Sequence, residues 1–208
     1  MKQTKAVIIG NGPSALEKNL GSRIDSNEFD AVFRINRWAY DEDGSSFKSY
    51  PEQVGTRCDY WVVNDLHLTE TQLALKYGHQ YKGVFVIAPK FKWQHIDKVV
   101  TQLKPDYPFL EMVGYQYEDA VNQIVDYNPK WPTTGTISIT LALQHFDEVY
   151  IHGFDAYDPK YEGMHYFEGP EALYGRNKYR DGSKADHAPS KDKQYIKYLT
   201  ENYNVKYL

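Results

Sequence analysis

Short, continuous apolar runs alternate along this chain with longer and more polar segments. Apolar runs bounded by glycine or polar residues are typical of strands buried on both faces of a sheet. They predict six strands, at residues 5–10, 30–36, 58–64, 83–89, 108–113 and 147–154. The intervening segments predict helices at residues 13–21, 67–76, 94–104, 116–127 and 135–146, the first with Pro13 near its start and Gly21 as its stop.

This alternation predicts an α/β fold: a single Rossmann-like domain over residues 1–208, with a mostly parallel sheet flanked by helices. A chain of 208 residues is long enough to bury one proper core. Residues 156–190 are rich in Tyr, Gly, Asp and Lys without clear periodicity, and we expect a long loop or lid there. In such sheets, ligands bind beyond the carboxyl ends of the strands.

The composition excludes some classes of function and partner but does not identify the function. The net charge of −4 provides no overall attraction to nucleic acid, so a nucleic-acid partner is not expected. Cys58 is the single cysteine, which excludes an intrachain disulfide and favours a reducing compartment. No apolar leader or membrane span is apparent. We therefore expect a cytoplasmic protein, with peripheral membrane contact left open.

The stretch "GNGPSA" at residues 10–15 fits a dinucleotide-binding fingerprint, because it lies between a predicted strand and a predicted helix. Gly10, Asn11 and Gly12 are therefore candidates for binding a nucleotide phosphate. The fingerprint also requires an acidic residue at the end of the second strand, which here ends in Arg34-Ile35-Asn36. Since an arginine suits a 2′-phosphate, an NADP-dependent oxidoreductase remains an alternative.

A second candidate anion site is "PTTG" at residues 132–135. Thr133, Thr134 and the backbone N–H of Gly135 could hold a phosphate or carboxylate at the start of the following helix. The alternative is an ordinary helix cap provided by Thr134.

Two histidines lie in or beside the loop-rich region. His165 is found in "MHYFEG" and His187 in "DHAPSKD". Histidine is the side chain best suited to general base catalysis near neutral pH, so both are candidates for catalysis.

The sequence patterns for a metal site and for a ligand-binding surface are weaker than those described above. Asp41-Glu42-Asp43 matches the Asp-x-Asp pattern by which many sugar transferases hold a divalent metal, but such triplets also arise by chance. No zinc-type spacing is present, and no metal or cofactor is expected. The lysines at 90, 92, 98 and 104 fit a solvated helix face and its lead-in, with an acceptor-binding or anionic-glycan surface as the alternative.

Taken in order, these pieces resemble the sialyltransferases of glycosyltransferase family 29. "VIIGNGPSALEKNLGSRIDSNEFDAVFRINRW", continuing to "VGTRCD", resembles the large sialylmotif, and "PTTGTISITLALQHFDEVYIHGFD" resembles the small one. His165-Tyr166-Phe167 is similar to the third motif. His187, followed five residues later by Asp192, is similar to the very small motif, in which the family has Glu. Phe146 replaces a cysteine of animal members, so their disulfide is absent.

The resemblance implies a GT-A-variant, sialyltransferase-like fold and an inverting, metal-independent transfer of sialic acid from CMP-sialic acid to a glycan or glycolipid hydroxyl. It implies that Asn11 and Asn36, beside the backbone of Gly10 and Gly12, contact the CMP moiety. Its further donor-site residues are Thr133, Thr134, Gly135, Gly153, Phe154 and Asp155.

The resemblance also implies that His187 is the general base and that His165 contacts the departing phosphate, with Arg34, Tyr166 and Asp192 in support. CMP-Kdo is an alternative donor, because it carries the same carboxylate at its anomeric carbon. Two further readings remain open: a non-catalytic nucleotide- or glycan-binding module, and a metal-dependent transferase that uses UDP-sugars.

Overall fold

A computed structural model describes residues 3–38, 50–64, 68–155 and 188–208, without the side chains of 68–71. Seven strands in these ranges form one parallel sheet, in the order β5-β4-β3-β2-β1-β6-β7. The strands are β1 (Lys5–Ile9), β2 (Ala31–Ile35), β3 (Tyr60–Asn64), β4 (Gly83–Ile87), β5 (Leu110–Met112), β6 (Glu148–His152) and β7 (Val205–Tyr207). The predicted α/β class and parallel sheet are confirmed.

The helices of the described ranges cover both faces of the sheet. They are α1 (Gly21–Ile24), α2 (Pro51–Val54), α3 (Leu68–Tyr77), α4 (Lys90–Leu103), α5 (Gln116–Ile124), α6 (Thr134–Leu143) and α7 (Pro189–Asn202), with short 3-10 turns at Pro13–Leu16 and Gly78–Gln80. The largest core cluster joins α5, α6 and α7 to one face. Two smaller clusters pack α1 with α2, and α3 with α4, against the other. Within the described part of the chain, no helix has the length and apolarity needed to cross a membrane.

The order of the strands reverses at β1. The chain moves outward from β1 through β2 to β5, then returns to place β6 on the other side of β1. Ile9, near the end of β1, is aligned with Arg34 on β2 and with His152 on β6. Polar residues that follow β1 and β6 therefore meet at the switch point, where open α/β sheets bind their ligands.

The predicted first helix at residues 13–21 is wrong. Pro13–Leu16 forms a single 3-10 turn, and Gly21 begins α1 instead of ending a helix. A methyl group on Gly21 would overlap the carbonyl oxygen of Pro51, so the glycine allows close contact between α1 and α2.

Helix α7 and strand β7 were not predicted. The buried side chains Tyr195, Ile196 and Leu199 follow helical spacing, and Pro189 occupies the first turn. The many charged residues between them conceal this pattern. Of the predicted loop at 156–190, residues 156–187 lie outside the described residues. Its last two residues, 189 and 190, begin α7.

Candidate functional site

Two turns meet at the switch point. The glycine turn (residues 10–14) follows β1, and the threonine turn (residues 132–136) opens α6. Phe154, just beyond β6, packs between them: a methyl group on Gly10 would lie 2.9 Å from Phe154 Cδ2, and one on Gly135 would lie 2.9 Å from Phe154 Cε1. The missing side chains of these two glycines allow both turns to approach the same ring.

The glycine turn is joined to β6 through its backbone. The N–H of Gly10 donates to the carbonyl of His152 at 2.7 Å, and the N–H of Gly12 donates to that of Gly153 at 2.9 Å. A methyl group on Gly10 would overlap the Gly153 carbonyl oxygen, and Gly153 itself has φ +72°, which favours glycine. These glycines thus serve close backbone packing, and the N–H groups of Gly10 and Gly12 are used within the protein.

Asp155 adds a negative charge to the same turn. Its Oδ2 accepts a hydrogen bond from the N–H of Ser14 at 2.9 Å, and a methyl group on Gly12 would overlap the carboxylate. The carboxylate therefore holds the position that an anion would take at this N–H. A phosphate bound at the glycine turn would be repelled by Asp155.

Asn11 presents an unsatisfied acceptor at the switch point. Its Nδ2 donates to the carbonyls of Ile35 at 2.9 Å and Arg37 at 3.3 Å. Its Oδ1 is buried and accepts no hydrogen bond from the described residues. A buried acceptor without a donor costs about 1–3 kcal/mol, so a hydroxyl or amino group of a ligand would be bound favourably there.

Asn36 is fixed by β3. It has φ +49°, a left-handed conformation that asparagine tolerates better than most residues. Its N–H donates to the carbonyl of Val62 at 2.7 Å, its carbonyl accepts from Trp61 Nε1 at 2.6 Å, and its Oδ1 accepts from the N–H of Asn64 at 3.0 Å. Among the described residues, the Asn36 Nδ2 has no acceptor.

The threonine turn keeps donors available. Thr133 caps α6, since its Oγ1 accepts from the N–H of Thr136 at 3.3 Å. The alternative cap at Thr134 is wrong by one residue: Thr134 is the first helical residue and is buried. Neither the Thr134 N–H nor the Gly135 N–H donates to a described residue. Both groups lie at the positive end of the helix dipole, where an anion binds well.

Asp192 fastens this turn to α7. The carboxylate is 2% exposed, and its Oδ1 accepts hydrogen bonds from Tyr127 Oη at 3.0 Å, the Thr133 N–H at 3.3 Å and Thr136 Oγ1 at 2.6 Å. Burial, followed by the charge of Asp192, raises the pKa of Tyr127, whose hydroxyl therefore stays protonated and donates. The sequence analysis assigned no role to Tyr127, or to Thr136 within the small sialylmotif.

Arg34 is an internal residue. It is fully buried, and its Nε and Nη2 donate to the carbonyls of Arg57 at 3.0 Å and Val54 at 2.6 Å. Its guanidinium also lies over the ring of Trp38, 5.0 Å from the centroid. Arg34 has no exposed surface for a 2′-phosphate, which argues against the NADP alternative.

The remaining candidates cannot be placed. His165, Tyr166, His187 and the acidic triplet 41–43 lie outside the described residues. Among the described residues, no group of three His, Cys, Asp or Glu side chains could hold a metal ion. His152, to which the sequence assigned no role, lies beneath the glycine turn, where its Nε2 is 3.0 Å from the carbonyl oxygen of Ala15.

The parallel sheet, with two turns meeting at its switch point, has the architecture of open α/β proteins, which bind their ligands at this place. The model of glycosyltransferase family 29, the sialyltransferases, matches residues 64–203 of this chain. Over 186 residues the chain is 31% identical to human CMP-N-acetylneuraminate-beta-galactosamide-alpha-2,3-sialyltransferase 4, a match that covers 79% of the chain and 54% of the relative. Over 196 residues it is 26% identical to rat CMP-N-acetylneuraminate-beta-1,4-galactoside alpha-2,3-sialyltransferase, with 79% and 48% covered. A mouse type 2 lactosamine alpha-2,3-sialyltransferase is 26% identical over 206 residues, with 85% and 58% covered.

This chain belongs to glycosyltransferase family 29. The family resemblance drawn from the sialylmotifs is thereby confirmed. The chain spans about half the length of the curated relatives it matches. The match to the family model takes in the threonine turn and Asp192 but begins after the glycine turn and Asn36.

Proposed function

We propose that this chain binds a CMP-activated 2-keto acid sugar, sialic acid in the first instance, and transfers that sugar to a hydroxyl of a β-galactoside. Family membership supports the reaction class, and the relatives' names supply the donor and the galactoside acceptor. One observation carries the assignment to this site: a buried acceptor at Asn11 and two available helix N–H groups meet at the switch point.

The two turns have complementary roles in this proposal. Asn11 Oδ1 receives a hydroxyl or amino group of the nucleoside. Asn36, just after β2, has its Oδ1 held by Asn64 and offers its Nδ2 as a donor. The N–H groups of Thr134 and Gly135 receive the sugar carboxylate or the phosphate. Asp155 favours this arrangement, because its charge at the glycine turn opposes an anion there.

In the proposed reaction, the acceptor hydroxyl oxygen attacks the anomeric carbon from the face opposite CMP. The new C–O bond forms as the bond to the phosphate oxygen breaks, and CMP leaves with the electron pair, which inverts the configuration. His187 takes the hydroxyl proton, and His165 donates a hydrogen bond to the departing phosphate. Both roles come from the motif resemblance. General base catalysis of this kind contributes ~10²–10⁴-fold.

We further propose that no metal takes part. CMP carries a single phosphate, which needs less neutralisation than the diphosphate of a UDP-sugar. The positive end of α6 supplies part of that neutralisation.

The first test is a calorimetric titration of the full chain with CMP in EDTA, with UMP and NADPH as controls. We expect selective binding of CMP. Turnover of CMP-sialic acid with lactose is then compared with turnover of CMP-Kdo, which identifies the sugar. Binding of NADPH without CMP would overturn the proposal, and binding of CMP that disappears in EDTA would overturn metal independence.

A further inference from the structure

Four aromatic side chains form two contacting pairs near the carboxyl ends of β4 and β5, and one of the four, Trp131, lies just before the threonine turn. Phe91 and Trp131 have ring centroids 5.5 Å apart, and Trp93 and Tyr115 have centroids 5.3 Å apart. Phe91 is 70% exposed and Tyr115 is 41% exposed. We call these four residues the aromatic rim.

The rim lies at the carboxyl edge of the sheet. Phe91 and Trp93 belong to the first turn of α4, which starts three residues after the end of β4. Trp131 precedes the cap residue Thr133 by two positions. The contact between Phe91 and Trp131 thus joins the start of α4 to the loop before α6, at the carboxyl edge of the sheet.

Local contacts hold Trp93 and Tyr115 in place, and Phe91 packs on Trp131. Trp93 Nε1 donates to the carbonyl of Val113 at 2.8 Å. Lys90 Nζ lies 5.0 Å from the centroid of Tyr115 and pairs with Asp119 at 2.8 Å. Aromatic rings fixed in this way lose little conformational freedom when a ligand binds.

The charge around the rim is nearly balanced. Asp119 offsets Lys90, and the nearby Glu118 accepts the backbone N–H of Lys90 at 2.9 Å. Lys92 lies 5.7 Å from the centroid of Phe91, and Lys130 directly precedes Trp131 in the chain. Two carboxylates against three lysines leave only a small positive excess, which favours a neutral ligand over a strongly anionic glycan.

Phe91 exposes more of its side chain than the other large hydrophobic residues of the described chain. A single exposed apolar residue needs no explanation, but paired and fixed aromatic rings beside a ligand site are a typical feature of binding surfaces. One face of a galactose ring is formed mainly by C–H groups and can stack on such rings. We propose that the aromatic rim is the acceptor subsite, where the galactose of a neutral β-galactoside stacks on Phe91 and Trp131 with a hydroxyl directed toward the donor. This inference rests on the proposed function.

The test uses Phe91→Ala, since an exposed ring can be removed without opening the core. Phe91→Tyr retains the ring and serves as the conservative variant. Tyr203→Ala is the matched control: Tyr203 is 51% exposed, contacts Tyr198 with centroids 6.0 Å apart, and follows α7 at the opposite edge of the sheet. For each protein we would measure the Kd for CMP, the KM for lactose, and hydrolysis of CMP-sialic acid without acceptor.

We expect Phe91→Ala to raise the KM for lactose roughly tenfold, which corresponds to the loss of one good stacking contact. The Kd for CMP and the rate of donor hydrolysis should stay within twofold of wild type. Phe91→Tyr should restore most of the lost affinity, and Tyr203→Ala should match wild type.

The possible failures are distinguishable. If wild type binds CMP and Phe91→Ala leaves the KM for lactose unchanged, the rim is not the acceptor subsite and the proposed function stands. If wild type fails to bind CMP, the proposed function falls and the acceptor inference falls with it. If CMP binds without measurable turnover, saturation-transfer NMR of lactose with CMP present decides: loss of the lactose signal in Phe91→Ala supports the rim, and an unchanged signal overturns it.

Discussion

The glycine turn and the threonine turn occupy the same edge of the sheet and are each held by a carboxylate, yet they use their backbone donors differently. In the glycine turn, the N–H groups of Gly10, Gly12 and Ser14 all donate to the protein itself. In the threonine turn, Asp192 binds the cap residue Thr133, while the next two N–H groups have no acceptor among the described residues.

Under the proposed function, this difference separates a turn that packs the fold together from a turn that binds the ligand. The glycine turn connects β1 to β6 and positions Asn11, so we expect its contribution to binding to come mainly from that side chain. The threonine turn leaves the positive end of α6 available for an anion. A fingerprint of glycines therefore indicates close backbone packing first, and phosphate binding only where the N–H groups remain available.

We expect the largest effect from disrupting the close backbone contact between the glycine turn and the end of β6. In Gly10→Ala the new methyl group would overlap the backbone carbonyl of Gly153 and approach the Phe154 ring at 2.9 Å. Because a backbone carbonyl cannot rotate away, we expect the free energy of unfolding to fall by about 3 kcal/mol or more. Urea denaturation measures this change.

Gly83→Ala is the control for that substitution. Its methyl group would lie at an ordinary distance of 3.4 Å from the ring of Tyr60, so it should cost less than about 1 kcal/mol. Equal losses in the two variants would show that close packing at the switch point is not what Gly10 provides.

The second effect concerns the threonine turn. Asp192→Asn keeps the size of the side chain but removes the charge that accepts hydrogen bonds from three residues, Tyr127, Thr133 and Thr136. Hydrogen bonds to a charged group contribute more than neutral ones, so we expect a loss of about 2 kcal/mol in the free energy of unfolding.

In the same variant, the affinity for CMP distinguishes a role of Asp192 in positioning the threonine turn from a role in stability alone. If Asp192 holds Thr133 in place for the donor, the Kd for CMP should rise by roughly tenfold in Asp192→Asn even where the protein is fully folded. A stable variant with unchanged affinity would show that the turn forms without this carboxylate.

A third effect concerns the pH dependence of stability and involves His152, which lies beneath the glycine turn. Burial, followed by the charges of Lys18 and Arg34, lowers the pKa of His152 below its ordinary value of 6.5. Below pH 6.5 the unfolded chain therefore binds a proton that the native His152 does not bind, and stability falls as the pH falls. We expect a loss of up to about 1.4 kcal/mol between pH 7.5 and 5.5.

His152→Gln should make this dependence weaker, because glutamine can donate to Ala15 without titrating. Denaturation of both proteins at pH 7.5 and 5.5 measures the difference. Parallel pH profiles would exclude His152 as the titrating group.

The sequence predicted the sheet well, because a strand buried on both faces must be apolar at almost every position, as in β1. It predicted that polar residues after β1, β2 and β6 lie at one edge, since the carboxyl ends of parallel strands share that edge. It could not show how those groups are used. Whether the N–H of Ser14 meets a ligand or Asp155 depends on contacts 141 positions apart in the chain.

For the same reason, the sequence did not reveal the residues that hold the threonine turn in place. Asp192 reaches Tyr127 and Thr136 across separations of 65 and 56 positions, and the sequence assigned neither residue a role. Helix α7 was missed because three apolar residues in a charged segment give a weak periodic signal. Local patterns thus predict elements, whereas the contacts that complete a site depend on their packing.

The smallest expected effect tests directly whether the charge of Asp155 opposes an anion at the glycine turn. Asp155→Asn leaves an oxygen that can accept the N–H of Ser14 and removes only the charge at the glycine turn. We expect the free energy of unfolding to change by less than about 1 kcal/mol, because this hydrogen bond is retained in neutral form. The affinity for CMP should increase by about threefold, since one repulsive charge near the phosphate is gone, and added salt should reduce the gain. Calorimetry at low and high salt measures both changes. A decrease in CMP affinity at both salt concentrations would mean that the Asp155 carboxylate itself binds the donor, and the glycine turn would then be a ligand site in its own right.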